Sequence, residues 1–359
     1  MTGRRCLTFA LFAALLGVIA AASASPHSTD RDVYERIGRA GVALDCDDVH
    51  CFRPLVAVLL EHLPGPSLLR WRIYAVVTSA AAAIALGRLT VLLGFSARVA
   101  GFAMWIAAFG SGPLQSVFDP YTSDPLMYLL GPLMVADLFQ NRGLRATALG
   151  SIGVLAKEFA AAPLWVFTLF SVLQRKWADA LRMLAAALFA TLVWFTLHTL
   201  LMTLYNNRYG TNPSVDLLGG GYFRAWTEAL GPGLAGAYLF MAFGALYVLF
   251  PVGLTRAARP IRLLAWSCLP AAAAFVYVQQ PDRALWNFHF IVIPLAAAIL
   301  ARLPDWPCWI FIVCFGAANI RLGSPQPALV TVFRVGLVIV STSIAVMAVT
   351  RRDPGLATS

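Results

Sequence analysis

Long apolar runs separated by short polar breaks fill most of this chain, and the runs are rich in Leu, Ala, Val and Phe. They lack the alternation of a strand with one wet face, which excludes an outer-membrane barrel. A helical span needs roughly 20 apolar residues, and backbone in lipid must bond within its own helix. The first run, Leu7–Ala22, follows Arg4 and Arg5 and ends at Ala22-Ser23-Ala24, which resembles a signal-peptidase site. A cleaved signal and a retained first helix stand about even, and both put the next segment outside the cytoplasm. Further spans are predicted at Ile73–Leu93, Val99–Leu114, Pro125–Phe139, Leu144–Ala156, Phe159–Leu173 and Leu181–Leu204. Five more are predicted at Leu234–Leu254, Leu263–Val278, Leu285–Ala301, Cys308–Ile320 and Ala328–Val349. The expected fold class is an all-α polytopic transmembrane bundle of about 11–12 helices. Several runs are short for a full span, as in helices that line a polar cavity.

The expected organisation is one integral membrane domain over 1–359, with a signal-anchor helix or signal peptide at 1–24, a first outer loop at 25–72 and the bundle at 73–350. No soluble C-terminal domain is expected. Within the first loop, Arg53–Leu63 is amphipathic enough to lie along a membrane surface. A second polar loop, Tyr205–Leu230, is rich in Gly and Asn.

Composition agrees with this map. Of 359 residues 60% are hydrophobic and 12% charged, with mean hydropathy +0.74. A soluble domain carries roughly twice that charged fraction. The net charge of +10 comes from 27 Lys and Arg against 17 Asp and Glu. With a cytoplasmic N-terminus, fifteen bases fall in inside segments, whereas the short outer segments carry Lys157, Arg208, Arg224, Arg283 and Arg321. That asymmetry orients the chain. No basic stripe with interleaved aromatics lies outside the spans, so nucleic acid is not an expected partner. Thirteen of the seventeen acids fall on the outer side. A transporter more often keeps its charges near the bilayer midplane, so chemistry at the outer rim is the better expectation.

Four places could carry that chemistry. Asp30 and Asp32 stand just after the first helix, with Tyr34 close behind, and a carboxylate there can take a proton from an acceptor hydroxyl. Either one also reads as a solvated loop acid. Asp119 and Asp124 bracket the entry to a short helix, and Asp124 before Pro125 sits where an N-cap would. Lys157 can hold a phosphate as a point charge, with Glu158 as its expected neutralising neighbour. Arg283 suits a phosphate, and His289, about two turns on, reads more readily as a buried core histidine. Asp45, Cys46, Asp47, Asp48, His50 and Cys51 form a dense donor cluster that reads either as a divalent metal site or as a Cys46–Cys51 disulfide. No metal ligand set is assigned. Nucleotide-binding and zinc-protease motifs are absent from the sequence, so the cofactor is unknown.

In their order these motifs resemble the GT-C superfamily of polytopic glycosyltransferases, which use lipid-phosphate-linked sugars on the non-cytoplasmic face. Asp30-x-x-Val33-Tyr34 looks like the family's acidic motif after the first helix. Phe52-Arg53-Pro54-Leu55 is similar to its return to the membrane, and Ser123-Asp124-Pro125-Leu126 to its fourth-helix head. Leu155-Ala156-Lys157-Glu158 with Pro163, and Asp282-Arg283 through Pro294, look like its later basic motifs. The first loop is compact, and Ala284 stands where the family has an aromatic. The resemblance implies a sugar moving from a polyprenyl-phosphate carrier to a glycan, lipid or protein acceptor. It implies Asp30 as general base, Asp32 in reserve, Asp124 as a second catalytic acid and Lys157 with Arg283 on the donor phosphate. Tyr34, Arg53, Asp119, Glu158 and His289 are accessory candidates. The implied location is a bacterial inner membrane with the site on its outer face. The alternatives are a transporter or lipid flippase, or a non-catalytic membrane scaffold.

Overall fold

The computed structural model describes residues 3–23, 30–41, 45–208, 239–240, 242–275, 281–319, 336–337, 339–344 and 346–347. Among them the regular structure is helical, apart from one isolated bridge between Asp47 and Arg208. Among the described residues three helices are long and apolar enough to cross a membrane, α1 (Gly3–Ala22), α4 (Ser67–Leu92) and α10 (Trp177–Tyr205). α10 turns Leu181, Leu188, Phe189, Leu192 and Phe195 outward, each more than half exposed. In water such a stripe is unfavourable, whereas in a bilayer it meets acyl chains. This is an integral membrane protein.

Between these run α2 (Arg31–Ala40), a 3₁₀ turn at Val49–Phe52, α3 (Pro54–Glu61), α5 (Ala97–Ala108), α6 (Ser111–Phe118), α7 (Asp124–Phe139), α8 (Gly143–Gly153), a second 3₁₀ turn at Glu158–Ala161 and α9 (Ala162–Leu173). After α10 come α11 (Leu246–Arg256), α12 (Arg259–Phe275), α13 (Pro281–Trp286), α14 (His289–Leu300) and α15 (Asp305–Asn319). α4 is the central post, packed against α1, α5 and α7. α1 inserts Phe12 and Leu16, both fully buried, and Phe12 meets the Trp105 ring edge-on at 5.0 Å.

Two predicted spans are broken. Val99–Leu114 divides at Phe109-Gly110, and Leu285–Ala301 divides at Asn287-Phe288. One side chain links the two breaks. Trp286 is fully buried against the α-carbons of Gly110 and Gly112, where any Cβ would collide with its indole. Gly253 on α11 likewise lets the backbone of α14 approach at Leu295. α4 begins six residues before the predicted Ile73, because Arg70 gives its N-terminal region polar partners. Its guanidinium bonds Glu61 O at 2.7 Å, Leu63 O at 3.1 Å and Glu61 Oε2 at 2.8 Å.

The loops gather at two ends. At one end Arg98 bonds Leu303 O and Asp305, and Arg145 pairs with Asp137. At the other end, α2, the first 3₁₀ turn, the α7 N-terminus, the Lys157–Glu158 turn and the C-terminus of α10 meet. Asn206 caps α10 in the left-handed conformation, which Asn tolerates, and donates to Asp45 at 3.2 Å. Arg208 N donates to Cys46 O at 2.7 Å. The Tyr205–Leu230 loop beyond Arg208, most of the Ala328–Val349 span, and the side chains of Asp282 and Arg283 lie outside the described residues.

Candidate active site at the acidic end of the bundle

α2 presents two faces. Arg31, Glu35 and Arg39 form an i,i+4 ladder, with Arg31–Glu35 at 3.0 Å and Arg39–Glu35 at 3.1 Å. Tyr34, Ile37 and Gly38 turn inward. Asp30, at the N-cap, lies four residues before Tyr34 and so shares its side of the helix. Asp32 lies about 200° round from Asp30 and is exposed. Helical periodicity thus separates two acids that are neighbours in sequence.

The Cys46–Cys51 disulfide is formed, the second of the two readings of that cluster. Among the described residues no group of three or more His, Cys, Asp or Glu is placed to hold a metal ion. Inside the small ring, Asp48 caps the 3₁₀ turn by accepting the His50 backbone N–H at 2.8 Å. The same carboxyl oxygen lies 2.6 Å from His50 Nδ1, and His50 Nε2 lies 3.5 Å from Asp30 Oδ2. Burial alone would push the Asp48 carboxyl up. The bonds from the His50 ring and backbone, with the Arg53 charge nearby, outweigh it and hold Asp48 below its ordinary value.

Arg53, leaving this turn, grips Glu158 with two bonds, Nε at 3.1 Å and a terminal nitrogen at 2.7 Å. Leu55 N joins the same loops by donating to Leu155 O at 3.2 Å. Lys157 pairs instead with Asp124, whose side chain is 1% exposed against 12% for the lysine. The expected Lys157–Glu158 neutralisation is therefore replaced by two cross-loop pairs. The cause is local. Lys157 has extended backbone, φ −167° and ψ 139°, which sends successive side chains in opposite directions.

Ser123 occupies the N-cap of α7 and Asp124 its first helical position, so the helix begins one residue earlier than predicted. Pro125 fits the first turn because it has no N–H to leave unbonded. The turn is held from outside by Tyr74, whose hydroxyl donates to Ser123 O at 3.2 Å and accepts from Leu126 N at 3.1 Å. Tyr34 sits between these groups. Its ring lies 5.2 Å from those of His50 and Trp71, and Trp71 continues to Tyr121 at 5.4 Å. Burial pushes the Tyr34 hydroxyl up to about 12. Arg53 opposes that shift, while Asp124 and Asp30 add to it, so three of the candidate charges lie within electrostatic reach of one hydroxyl. Tyr121 donates to Glu35 at 3.2 Å and closes the rim.

Asp30, Tyr34, Arg53, Asp124, Lys157 and Glu158 therefore come together. Asp119 stands at the C-cap of α6. His289 is buried and stacked on Trp286, with Nδ1 3.0 Å from Trp286 O, one helical turn below Asp124 through its contact with Tyr128. Arg283 falls on α13, its side chain outside the described residues. Beside Lys157, whose Nζ lies 5.3 Å from the Phe159 ring centre, an apolar crevice opens between Met127, Leu130, Pro163 and Phe290.

No family model matches the sequence, and no curated protein matches it. Among the solved structures similar to this chain is the Archaeoglobus fulgidus oligosaccharyltransferase tethered with an acceptor peptide containing the NVT sequon via a disulfide bond. The identity is 13% and the TM-score 0.47, over 94% of this chain and 55% of that one. This chain thus spans about half the length of that protein.

Sequence reasoning did not assign Trp71, Tyr74 and Tyr121, which surround Tyr34. Trp71, at the end of the predicted outer loop, and Tyr74, at the start of the predicted span after it, are three residues apart, a spacing that puts both on one face once the helix reaches back to Ser67. Asp48 and His50 were visible only as members of a donor cluster.

Proposed function

We propose that this protein is a membrane glycosyltransferase that moves a sugar from a polyprenyl-phosphate carrier to an acceptor at the outer face of a bacterial inner membrane. The observation that carries this reading is the convergence of Asp30, Asp124 and Arg53 on Tyr34, with Lys157 paired to Asp124. In the reaction, the acceptor oxygen forms a bond to the sugar's anomeric carbon as the bond to the carrier phosphate breaks. Asp30 takes the acceptor proton, because a neutral hydroxyl is a weak nucleophile. Positive charge builds on the sugar ring in the transition state, which nearby carboxylates favour. Lys157 and Arg283 hold the departing phosphate, whose charge interacts more strongly where water is scarce. Asp124 orients Lys157 before the donor arrives. No hexose, pentose or acceptor class is singled out by these residues.

The test is direct. The full chain in proteoliposomes is given radiolabelled polyprenyl-phosphate hexoses and pentoses, with membrane glycan and lipid extracts as acceptors. Label leaving the carrier, absent with Asp30→Asn, is the expected result. Carrier sugar that crosses the bilayer with its bond intact would replace this reading with a flippase. Carrier sugar left untouched and unmoved would reject it.

A further inference from the structure

Asp30 does not stand alone at the head of α2. His50 lies between it and Asp48, with Nε2 toward Asp30 and Nδ1 toward Asp48. We infer that His50 is a positioning and proton-relay residue for Asp30, oriented by Asp48, within a loop closed by the Cys46–Cys51 disulfide. The inference rests on the reading of Asp30 as general base.

The geometry assigns the tautomer. An ionised carboxylate only accepts hydrogen bonds. Asp48 is held in its ionised form and lies 2.6 Å from Nδ1, so Nδ1 carries the proton. The much shorter contact takes the ring's single proton, which leaves Nε2 with the lone pair 3.5 Å from Asp30 Oδ2, where it accepts only once Asp30 has been protonated. Serine hydrolases use this division of labour, an aspartate on Nδ1 fixing which nitrogen does the work.

The proton balance is complete. The acceptor O–H proton moves to Asp30 as the new glycosidic bond forms. From Asp30 Oδ2 it passes to His50 Nε2, which restores the carboxylate and leaves an imidazolium between two acids. The His50 side chain is 19% exposed, so the proton can leave to water. Asp30, itself 24% exposed, is then ready for another turnover even while a bound acceptor or product covers it.

The surroundings support the arrangement. Tyr34, from α2, meets the imidazole edge-on at 5.2 Å, and its hydroxyl keeps its proton at neutral pH, so it does not compete. Arg53 follows on the same turn, and its charge acts on Asp48. Only four residues lie between Cys46 and Cys51, so the disulfide ring holds Asp48 and His50 in one short piece of backbone. The strand-like pairing of Asp47 with Arg208 and the Asp45–Asn206 bond tie that ring to the end of α10.

The test uses the full chain, assayed as above with a polyprenyl-phosphate sugar that the wild type consumes. Glutamine can bond both neighbours but cannot carry the proton. His50→Gln should therefore lower kcat on the order of 10²-fold while donor KM changes less than about twofold. His50→Ala should be similarly impaired, and added imidazole should restore part of its rate, which a purely structural histidine would not allow. Wild-type kcat in His50→Gln, or a loss in His50→Ala that imidazole never relieves, would overturn the relay. A second measurement does not depend on turnover. In ¹⁵N-histidine spectra of the full chain in nanodiscs, His50 should show a protonated Nδ1, and Asp30→Asn should move its Nε2 signal. Spectra in which Asp30→Asn leaves both His50 nitrogens unmoved would reject the inference whether or not sugar is transferred. A wild type that consumes no carrier sugar would instead reject the glycosyltransferase reading, with the spectra still deciding the Asp30–His50 contact.

Discussion

Lys157 pairs with Asp124, thirty-three residues earlier, and not with Glu158 beside it. The carboxylate of Asp124 is 1% exposed, so the pair is a buried one. Removing only one partner of such a pair costs roughly 3–5 kcal/mol, because the other charge is stranded. Lys157→Ala should therefore lower the thermal unfolding temperature in detergent. Adding Asp124→Ala should recover much of the loss, whereas adding Glu158→Ala should deepen it by freeing Arg53. Rescue by the Glu158 change, with none from the Asp124 change, would contradict this pairing.

Asp30 and Asp32 should separate sharply in activity. Asp30→Asn should reduce sugar transfer on the order of 10²–10⁴-fold with the fold intact. Asp32→Asn, on the exposed face, should stay within a few-fold of wild type. Initial rates with one labelled carrier sugar measure both. If Asp32→Asn is the inactive variant, the assignment within α2 is reversed.

The Asp48 cap should give stability an acid dependence of known sign. Its folded value is depressed below the ordinary 3.8, so its contribution is fully present above that range and lost as pH falls below it. The unfolding temperature of wild type should exceed that of Asp48→Asn by a constant margin from pH 5 to 7. The margin should shrink below pH of about 4. A margin that instead grows on acidification would show that the carboxylate is not stabilised in the folded protein.

Topology can be checked without any substrate. Single cysteines placed within Tyr205–Leu230 should react with a membrane-impermeant maleimide from the outer side of intact cells. Cysteines at Asn141 or Arg175 should react only after the cells are opened. Labelling of the 205–230 loop from the cytoplasm alone would reverse the orientation and remove the outer-face site.

The span pattern was readable because lipid imposes a one-dimensional rule. Each crossing needs a continuous apolar run, so α4, α7 and α10 lie close to their predicted positions. The breaks at Phe109-Gly110 and Asn287-Phe288 were not readable, because both depend on where Trp286 lands between segments far apart in the chain. A hydropathy profile records what a residue is and not which side chain needs room beside it.

Candidate chemistry followed the same division. Residue type and position along the chain were enough to single out Asp30, Asp124, Lys157 and Arg53, since charge next to an apolar run is costly without a purpose or a partner. Sequence by itself therefore determined the helical membrane class and a short set of rim residues. Tertiary structure alone decided the partners. It set Lys157 on Asp124, Arg53 on Glu158 and His50 between Asp30 and Asp48. The physical reason is that electrostatic pairing falls off over a few ångströms of space, and separation along the chain does not measure it.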